Sequence, residues 1–151
     1  MQALNLPKYE FNLIQVGNKN KIFDPIRKAY FVLTPEEWVR QHFIKFLIEE
    51  KGFPAGLMAI EKEMVLNQMK KRMDMLCYSR KGVPLLMVEC KAPDVTITQK
   101  AFDQIGRYNI TQRLPYLIVT NGMNHYCAKI DFTAGKYEFL KNIPSYDDLH
   151  V

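Results

Sequence analysis

Apolar positions recur along this chain with two periods, one typical of helices and the other of strands. Helical spacing begins after residue 34, where Thr34 suits an N-cap, Pro35 suits the first helical position and Glu37 completes a capping box. The apolar residues that follow at helical spacing are Val39, Phe43, Phe46, Leu47 and Ile48. Gly52 and Pro54 predict the end of this helix.

A second helix is predicted in the C-terminal half of the chain. Either Thr96 or Thr98 can cap its start, and its pattern runs to about Gln112. Pro115 marks the point beyond which it cannot continue.

Shorter apolar runs between turn residues predict strands. These runs are Ala29–Leu33, Met58–Leu66, Arg72–Tyr78, Leu85–Lys91, Tyr116–Thr120, His125–Ile130 and Lys136–Leu140. The predicted turns are Asn67–Lys71, Ser79–Pro84 and Asn121-Gly122. Residues 1–22 lack such a pattern and are predicted to be an irregular N-terminal segment. The order of elements predicts a single α/β domain over residues 1–151, with a mixed sheet.

Composition narrows the class of protein. A chain of 151 residues can bury a core without disulfides or a structural metal. No apolar run approaches the roughly 18 residues of a membrane span, so we expect no membrane partner. Residues 1–10 lack the apolar core of a secretory signal. The cysteines Cys77, Cys90 and Cys127 have no CxxC spacing, which favours reduced thiols in a cytoplasmic protein.

The charge balance is basic, with 21 Lys and Arg against 16 Asp and Glu, a net +5. This excess permits a polyanionic partner such as DNA. On charge alone, a solvated basic face without a partner is about equally favoured.

Candidate chemistry lies in the predicted hairpin of residues 72–91. Alternation along a strand puts Glu89 and Lys91 on one face, together with Leu85 and Met87. A symmetric hairpin has its midpoint between residues 81 and 82, which places Asp74 opposite Glu89. Like charges at such a position destabilise a sheet, so a cation is expected to offset them. Either a divalent ion between the carboxylates or Lys91 alone can do so.

Two interpretations of these charges compete. An edge hairpin whose charges face water is the simpler one, because this spacing is common by accident. However, residues 85–88 are apolar on both faces, as in a central strand. Charged residues at the end of a central strand are not on an ordinary solvated surface, which favours a functional role. Carboxylates with open water positions suit Mg²⁺, and a neighbouring lysine can orient water or stabilise phosphate charge.

The segment Arg72-Met-Asp74…Leu85-Leu-Met-Val-Glu89-Cys-Lys91-Ala-Pro93 resembles the PD-(D/E)xK nuclease superfamily. More narrowly, it resembles the small stand-alone version of the N-terminal nuclease domain of type I restriction enzyme R subunits. Three further segments carry the resemblance: Thr34-Pro-Glu-Glu-Trp-Val-Arg-Gln41, the QxxxY motif Gln104-Ile-Gly-Arg-Tyr108, and Val119-Thr-Asn-Gly-Met-Asn-His-Tyr126. It spans roughly residues 23–131.

This resemblance implies a restriction-endonuclease-like core, with a mixed central sheet flanked by helices. It implies Asp74, Glu89 and the Cys90 carbonyl as ligands of Mg²⁺, for which Mn²⁺ can substitute, and Lys91 as the catalytic lysine. Gln104 and Tyr108 then contact DNA or support the site; a polar strip packed beside the sheet is their alternative role.

Two departures from the family pattern stand out. Met73 precedes Asp74, where the superfamily motif has proline. The 151 residues also leave no room for the helicase domains of an R subunit. Glu61 can be a supporting carboxylate or a solvated strand end, and Lys70, Lys71 and Arg72 can touch phosphates or form a solvated turn.

The sequence therefore predicts a magnesium-dependent endonuclease-like domain that hydrolyses DNA. The alternatives are a catalytically weak DNA- or protein-binding module on a nuclease fold, and an accessory domain whose acidic pair is solvated. A protein partner or a homodimer stays open.

Overall fold

The structure is a computed structural model that describes residues 1–66 and 69–149, excluding the side chains of 64–71 and 111. The strands of the described residues are β1 (Leu13–Val16), β2 (Lys19–Asp24), β3 (Ala29–Val32), β4 (Met58–Leu66), β5 (Met69–Tyr78), β6 (Pro84–Cys90), β7 (Tyr116–Thr120), β8 (His125–Asp131) and β9 (Lys136–Leu140). The helices are α1 (Pro35–Lys51) and α2 (Gln99–Gln112).

Helix α1 begins and ends as its sequence predicts. The Thr34 hydroxyl accepts a hydrogen bond from the Glu37 backbone N–H at 3.0 Å, and Gly52 ends the helix in the left-handed conformation. The Glu37 carboxylate does not complete the predicted capping box. It accepts hydrogen bonds from Arg27, Arg40 and Gln41 instead, so the first turn of α1 is tied to neighbouring charged side chains.

Helix α2 begins at the second of its two candidate caps. The Thr98 hydroxyl accepts from the backbone N–H of Ala101 at 3.1 Å. The helix ends at Arg113, whose left-handed φ of 57° lets its N–H bond back to the helix carbonyls, two residues before Pro115.

The larger sheet has six strands in the order β4-β5-β6-β7-β8-β9. Strands β6 and β7 are parallel and the other neighbours are antiparallel, which confirms the prediction of a mixed sheet. Strand β6 is central, as its apolar run predicts. Its residues Leu86 and Val88 pack in the cluster beneath α1, and Met87 packs in the cluster beneath α2. In the described part of the chain, neither helix is long and apolar enough to cross a membrane.

The prediction of an irregular segment over residues 1–22 was wrong from Leu13 onward, whereas residues 1–12 contain no helix or strand. Strands β1 and β2 form a two-residue hairpin around Gly17-Asn18, and β3 adds to it as a separate three-stranded antiparallel sheet. Gly17 adopts a left-handed φ of 63°, which a tight hairpin turn needs. All four residues of β1 are exposed, so no alternation of buried and solvated positions marks the strand.

The predicted turn at Asn67–Lys71 is wrong for its last three residues. Met69–Lys71 belong to β5, while Asn67 and Gln68 lie outside the described residues.

Candidate active site

The two acidic residues of the predicted motif lie on neighbouring strands. Strands β5 and β6 are antiparallel, with Met75 paired with Val88 and Leu76 with Met87. Continuing this register by one residue brings Asp74 level with Glu89. This is the register that the hairpin midpoint predicts.

Both carboxylate oxygens of Asp74 accept short hydrogen bonds. Arg40 of α1 donates from Nη2 to Oδ1 at 2.7 Å, and the backbone N–H of Cys90 donates to Oδ2 at 2.7 Å. The side chain of Asp74 is only 14% exposed. Helix α1 and strand β6 therefore fix this carboxylate together.

Strand β5 loses its regular alternation at Asp74. Met73 packs in the cluster beneath α2 and Met75 in the cluster beneath α1, although residues two apart on a regular strand share a face. On β4, the pairing passes from Ile60 with Met75 to Lys62 with Met73 and omits the position between them. This irregularity lets Asp74 reach Arg40, so simple period-two alternation does not describe its orientation.

Glu61 occupies the omitted position of β4. Its φ is 57°, a left-handed conformation that is uncommon for a residue with a side chain. Its carboxylate lies 3.1 Å from Arg40 Nη2 and 3.5 Å from Arg72 Nε. Of the two roles open to Glu61, the structure favours a carboxylate that supports the site over a solvated strand end.

Glu89 and Lys91 stand side by side at the end of β6. Lys91 Nζ lies 3.8 Å from Glu89 Oε1, and both side chains are partly exposed. The Lys91 backbone N–H donates to the Thr120 carbonyl at 2.8 Å, which extends the parallel pairing with β7 past the end of the strand. The lysine is thus anchored by its main chain while its amine stays accessible.

Cys90, between them, is fully buried beneath α1. Burial raises the pKa of its thiol well above the usual value, and the charge of Asp74 adds to this effect. The thiol therefore stays protonated, and only the main chain of Cys90 is suited to a role at the site.

Arg40 is the buried cation of this group. Nη2 contacts Asp74 and Glu61 and lies 3.1 Å from Glu36, and Nη1 lies 2.7 Å from Glu37. Burial lowers the pKa of the guanidinium, but the hydrogen bond and charge of Asp74, with the charge of Glu37, outweigh it and raise the pKa overall. The cation that offsets the charge of Asp74 is thus Arg40, which the sequence analysis did not consider.

Glu36 adds a further carboxylate beside Arg40, and its side chain is partly exposed to solvent. Partial burial raises the pKa of Glu36 and the charge of Asp74 raises it further, whereas Arg40 and Lys91 lower it. Glu36 and Asp74 are connected through Arg40 Nη2, which contacts both carboxylates.

A chain of ion pairs ties this group to the three-stranded sheet. Asp24 is fully buried, and its carboxylate accepts from Arg27 Nε at 2.7 Å and from Gln41 Nε2 at 3.0 Å. Arg27 donates in turn to Glu37 at 2.9 Å. The connection runs from β2 through Arg27, Glu37 and Arg40 to Asp74, and an open cavity of about 720 Å³ lies beside it.

The structure separates the two residues of the QxxxY motif by environment. Gln104 is exposed on the surface of α2. Tyr108 is 7% exposed and packs in the cluster beneath α2 that contains Met73 and Met87. Burial raises the pKa of its hydroxyl. Tyr108 thus contacts the hydrophobic support of the site, whereas Gln104 faces solvent.

Two other predicted features have different outcomes. Arg72 is exposed and reaches Glu61 and Glu63, while the side chains of Lys70 and Lys71 lie outside the described residues. Arg40, Glu36 and Glu37 were missed as functional residues. Their signal was the spacing of two acids and an arginine in the first turns of α1, within a segment interpreted only as a helix start and as part of the resemblance.

Comparisons with known proteins identify a family and a solved structure to which this chain is similar. Residues 35–144 match the family described as type I restriction enzyme R protein N terminus. The search of curated proteins gave no match. A solved fragment assigned to the HsdR subunit of a type I restriction enzyme from Vibrio vulnificus YJ016 is similar in fold, with a TM-score of 0.54 and 21% sequence identity. The likeness covers 78% of this chain but only 24% of that chain.

Proposed function

Since this chain belongs to the family of type I restriction enzyme R protein N termini, we propose that it is a metal-dependent nuclease domain that hydrolyses phosphodiester bonds of DNA. The proposal includes a restriction-endonuclease-like core of the PD-(D/E)xK type. The observation that carries it is the position of Glu89 and Lys91 at the end of β6, beside Asp74 of the adjacent strand β5, whose carboxylate accepts from the Cys90 N–H.

The proposed ligands are of the chemical type that suits a magnesium ion. The Asp74 and Glu89 carboxylates and the Cys90 carbonyl are hard oxygen ligands, the type that Mg²⁺ prefers, and Mn²⁺ accepts the same set. Oδ2 of Asp74 is held by the Cys90 N–H, so the two main-chain groups of Cys90 would serve orientation and ligation separately. When bound, Mg²⁺ would neutralise phosphate charge and lower the pKa of an attacking water.

Lys91 is the proposed catalytic lysine. Its amine is accessible yet lies within 4 Å of the Glu89 carboxylate, so it can hold a proton and point a hydrogen bond toward phosphate oxygen. We expect the charge that Lys91 brings to matter most when negative charge builds up on the phosphate.

Helix α2 supplies the proposed support. Tyr108 packs against the side chains beside Asp74, so we assign it a positioning role. Gln104, exposed on the same helix, is the better candidate for contact with DNA.

Partners follow from the family and remain proposals. We propose DNA as substrate. Because the chain corresponds to only 24% of the matched Vibrio chain, assembly with other subunits of a restriction complex is a separate proposal. A homodimer is a further one.

A cleavage assay tests the function. Supercoiled plasmid and branched DNA are incubated with the protein in Mg²⁺, Mn²⁺ or EDTA. We expect cleavage with either metal and none with EDTA. Lys91→Ala should lower the cleavage rate by at least about 100-fold, in the range typical for loss of a group that stabilises the transition state. Lys141→Ala, which removes an exposed lysine of the described surface, is the matched control and should cleave normally.

One observation favours a second candidate function. Arg40 already occupies Oδ1 of Asp74, and such a contact can hold an inactive site in a folded binding module. DNA binding without metal-dependent cleavage of any tested DNA would support this candidate and contradict the nuclease.

A further inference from the structure

We propose that Arg40 is a positioning residue that occupies Oδ1 of Asp74 in the metal-free protein, and that a divalent ion bound at Asp74 and Glu89 displaces it from this oxygen. The inference rests on the proposed function, because it takes that metal site as its premise. It goes further by assigning the site a resident cation that competes with the metal.

The first argument concerns the hydrogen-bonding capacity of Arg40. Its Nη2 carries two protons but lies within 3.1 Å of three carboxylates, those of Glu36, Glu61 and Asp74. These contacts must share the two protons. If the contact with Asp74 is broken, Nη2 still has one carboxylate for each of its two protons, those of Glu36 and Glu61. The positive charge of Arg40 therefore stays paired.

The second argument concerns what keeps Arg40 in place. Its Nη1 donates to Glu37 at 2.7 Å. Glu37 is itself held by Arg27 and by Gln41 Nε2 at 3.0 Å. This anchor holds Nη1 and not the Nη2 that contacts Asp74, so Nη2 can leave Oδ1 while the Glu37 contact keeps Arg40 attached to α1.

The third argument concerns Asp74. Its Oδ2 is fixed by the Cys90 N–H, so Oδ1 is the oxygen over which the guanidinium and a metal ion compete. Each oxygen has two lone pairs, yet a divalent ion at Oδ1 would stand close to a guanidinium whose Nη2 is 2.7 Å away. Repulsion between these like charges in a buried setting disfavours joint occupancy.

The fourth argument concerns Glu61, which can accept the displaced charge. It adopts its left-handed φ of 57° at the irregularity in β4, and this conformation holds its carboxylate against Arg40. Strained backbone of this kind persists only when the surrounding contacts favour it. Glu61 and Glu36 are thus the carboxylates that pair with Arg40 after it leaves Asp74.

The test compares Mn²⁺ affinity by titration calorimetry in matched arginine variants. Arg40→Gln removes the competitor and should bind Mn²⁺ about tenfold more tightly than wild type. Arg72→Gln is the control, since it removes the same charge from the same carboxylate cluster without a contact to Asp74. Its affinity should change by less than about threefold. Equal affinity in wild type and Arg40→Gln, or weaker affinity in Arg40→Gln, would overturn the inference.

A wild-type measurement covers the case in which Arg40→Gln does not fold. Arginine side-chain NMR signals are followed during a Mg²⁺ titration, with Arg27 as internal reference and the Lys91 amide as the reporter of metal binding. We expect the Arg40 guanidinium signals to shift in step with the Lys91 amide. If the Lys91 amide saturates and Arg40 does not move, the inference fails while the metal site stands.

The two levels of the proposal can fail separately. If the Lys91 amide signal does not shift with Mg²⁺, and neither wild type nor Arg40→Gln binds Mn²⁺, both the metal site and the competition between Arg40 and the metal are overturned. Binding by Arg40→Gln alone would support the competition and contradict magnesium-dependent cleavage by the wild-type protein.

Discussion

Asp74 shows how a single carboxylate can be fully satisfied yet chemically available. It accepts from a guanidinium on one oxygen and from a main-chain N–H on the other. Charged hydrogen bonds of this kind are stronger than neutral ones, and breaking a buried pair on one side costs more than the pair contributes. The Asp74 carboxylate is thus held by Arg40 on one side and by the main chain of Cys90 on the other.

Asp74→Asn separates the stability of the site from its metal affinity. Both oxygens of Asp74 accept hydrogen bonds, so the asparagine amide must turn a donor toward another donor, which should lower the free energy of unfolding by about 1–3 kcal/mol. Wild type at a metal concentration about 100 times the Kd should gain roughly 5–10 °C in Tm, because only the folded state binds. Asp74→Asn should gain little, as measured by thermal unfolding with and without Mg²⁺.

Asp147→Asn is the control for that change of charge, since the Asp147 side chain is 90% exposed and its nearest charged partner is Arg80, in the turn between β5 and β6 and outside the motif. It should keep the full metal-dependent rise in Tm. An equal rise in Asp74→Asn and wild type would show that Asp74 is not a ligand.

The sequence could predict this site only in part. The register of β5 and β6 follows from the turn position, so counting from the turn was enough to predict that Asp74 lies level with Glu89 when the observed pairs are continued by one residue. The contacts of Arg40 were not, because Asp74 lies 34 residues further along the chain and the contact depends on the irregularity at Glu61. The left-handed conformation of Glu61 cannot be predicted from the alternation of apolar and polar residues along the strand.

At the scale of elements, α2 presents two motif residues that should respond differently to substitution. Tyr108→Ala removes a buried aromatic side chain and should lower the free energy of unfolding by about 3–5 kcal/mol. Gln104→Ala changes an exposed residue and should stay within about 0.5 kcal/mol of wild type, yet weaken DNA binding or cleavage.

Chemical unfolding and DNA titration measure these two effects. Gln99→Ala is not a suitable control, because Gln99 is bonded to Asp103 and Tyr137; the exposed Lys100→Gln is used instead, with the same assays. Normal DNA binding and cleavage by Gln104→Ala would show that the QxxxY motif contributes only to packing.

Elements with strong local signals were predicted closely. Thr34 and Gly52 define α1 through capping, and β4, β7 and β9 have the predicted bounds. The hairpin of β1 and β2 was missed although Gly17-Asn18 is a two-residue turn signal, because its first strand is exposed throughout. Two tertiary contacts, Asp24 with Gln41 and Arg27 with Glu37, connect this sheet to α1.

At the scale of the whole molecule, the N-terminal segment connects distant parts of the chain. The Asn5 backbone N–H donates to the Gly122 carbonyl at 2.8 Å, and Trp38 Nε1 donates to the Gln2 carbonyl at 2.8 Å. Gly122 has a left-handed φ of 84°, and a Cβ there would come within 2.8 Å of Leu4. Close packing of this segment encloses two histidines.

These histidines make the stability of the fold depend on pH. Nε2 of His125 lies 2.9 Å from the Asn5 carbonyl, which can only accept, so Nε2 carries the proton and Nδ1 accepts from the Thr120 hydroxyl at 2.7 Å. Burial lowers the pKa of His125, although the hydrogen bond to Asn5 raises it in part. Burial also lowers the pKa of His42, whose ring packs between Trp38 and Phe11.

A lowered pKa means that the unfolded chain binds these protons more tightly than the folded protein does. The contribution of each histidine to stability is therefore present above its ordinary pKa of 6.5 and is lost as pH falls below that value. We expect urea unfolding to show a lower free energy of unfolding at pH 5.5 than at pH 7.5. His125→Gln should reduce this difference, because glutamine does not titrate. The raised pKa of Glu36 acts in the opposite sense, because its contribution to stability is lost as pH rises above the ordinary value of 4.5. The comparison with His125→Gln, which leaves Glu36 in place, therefore separates the histidine contribution. A free energy of unfolding that does not change across this window would contradict the assignment of neutral buried imidazoles.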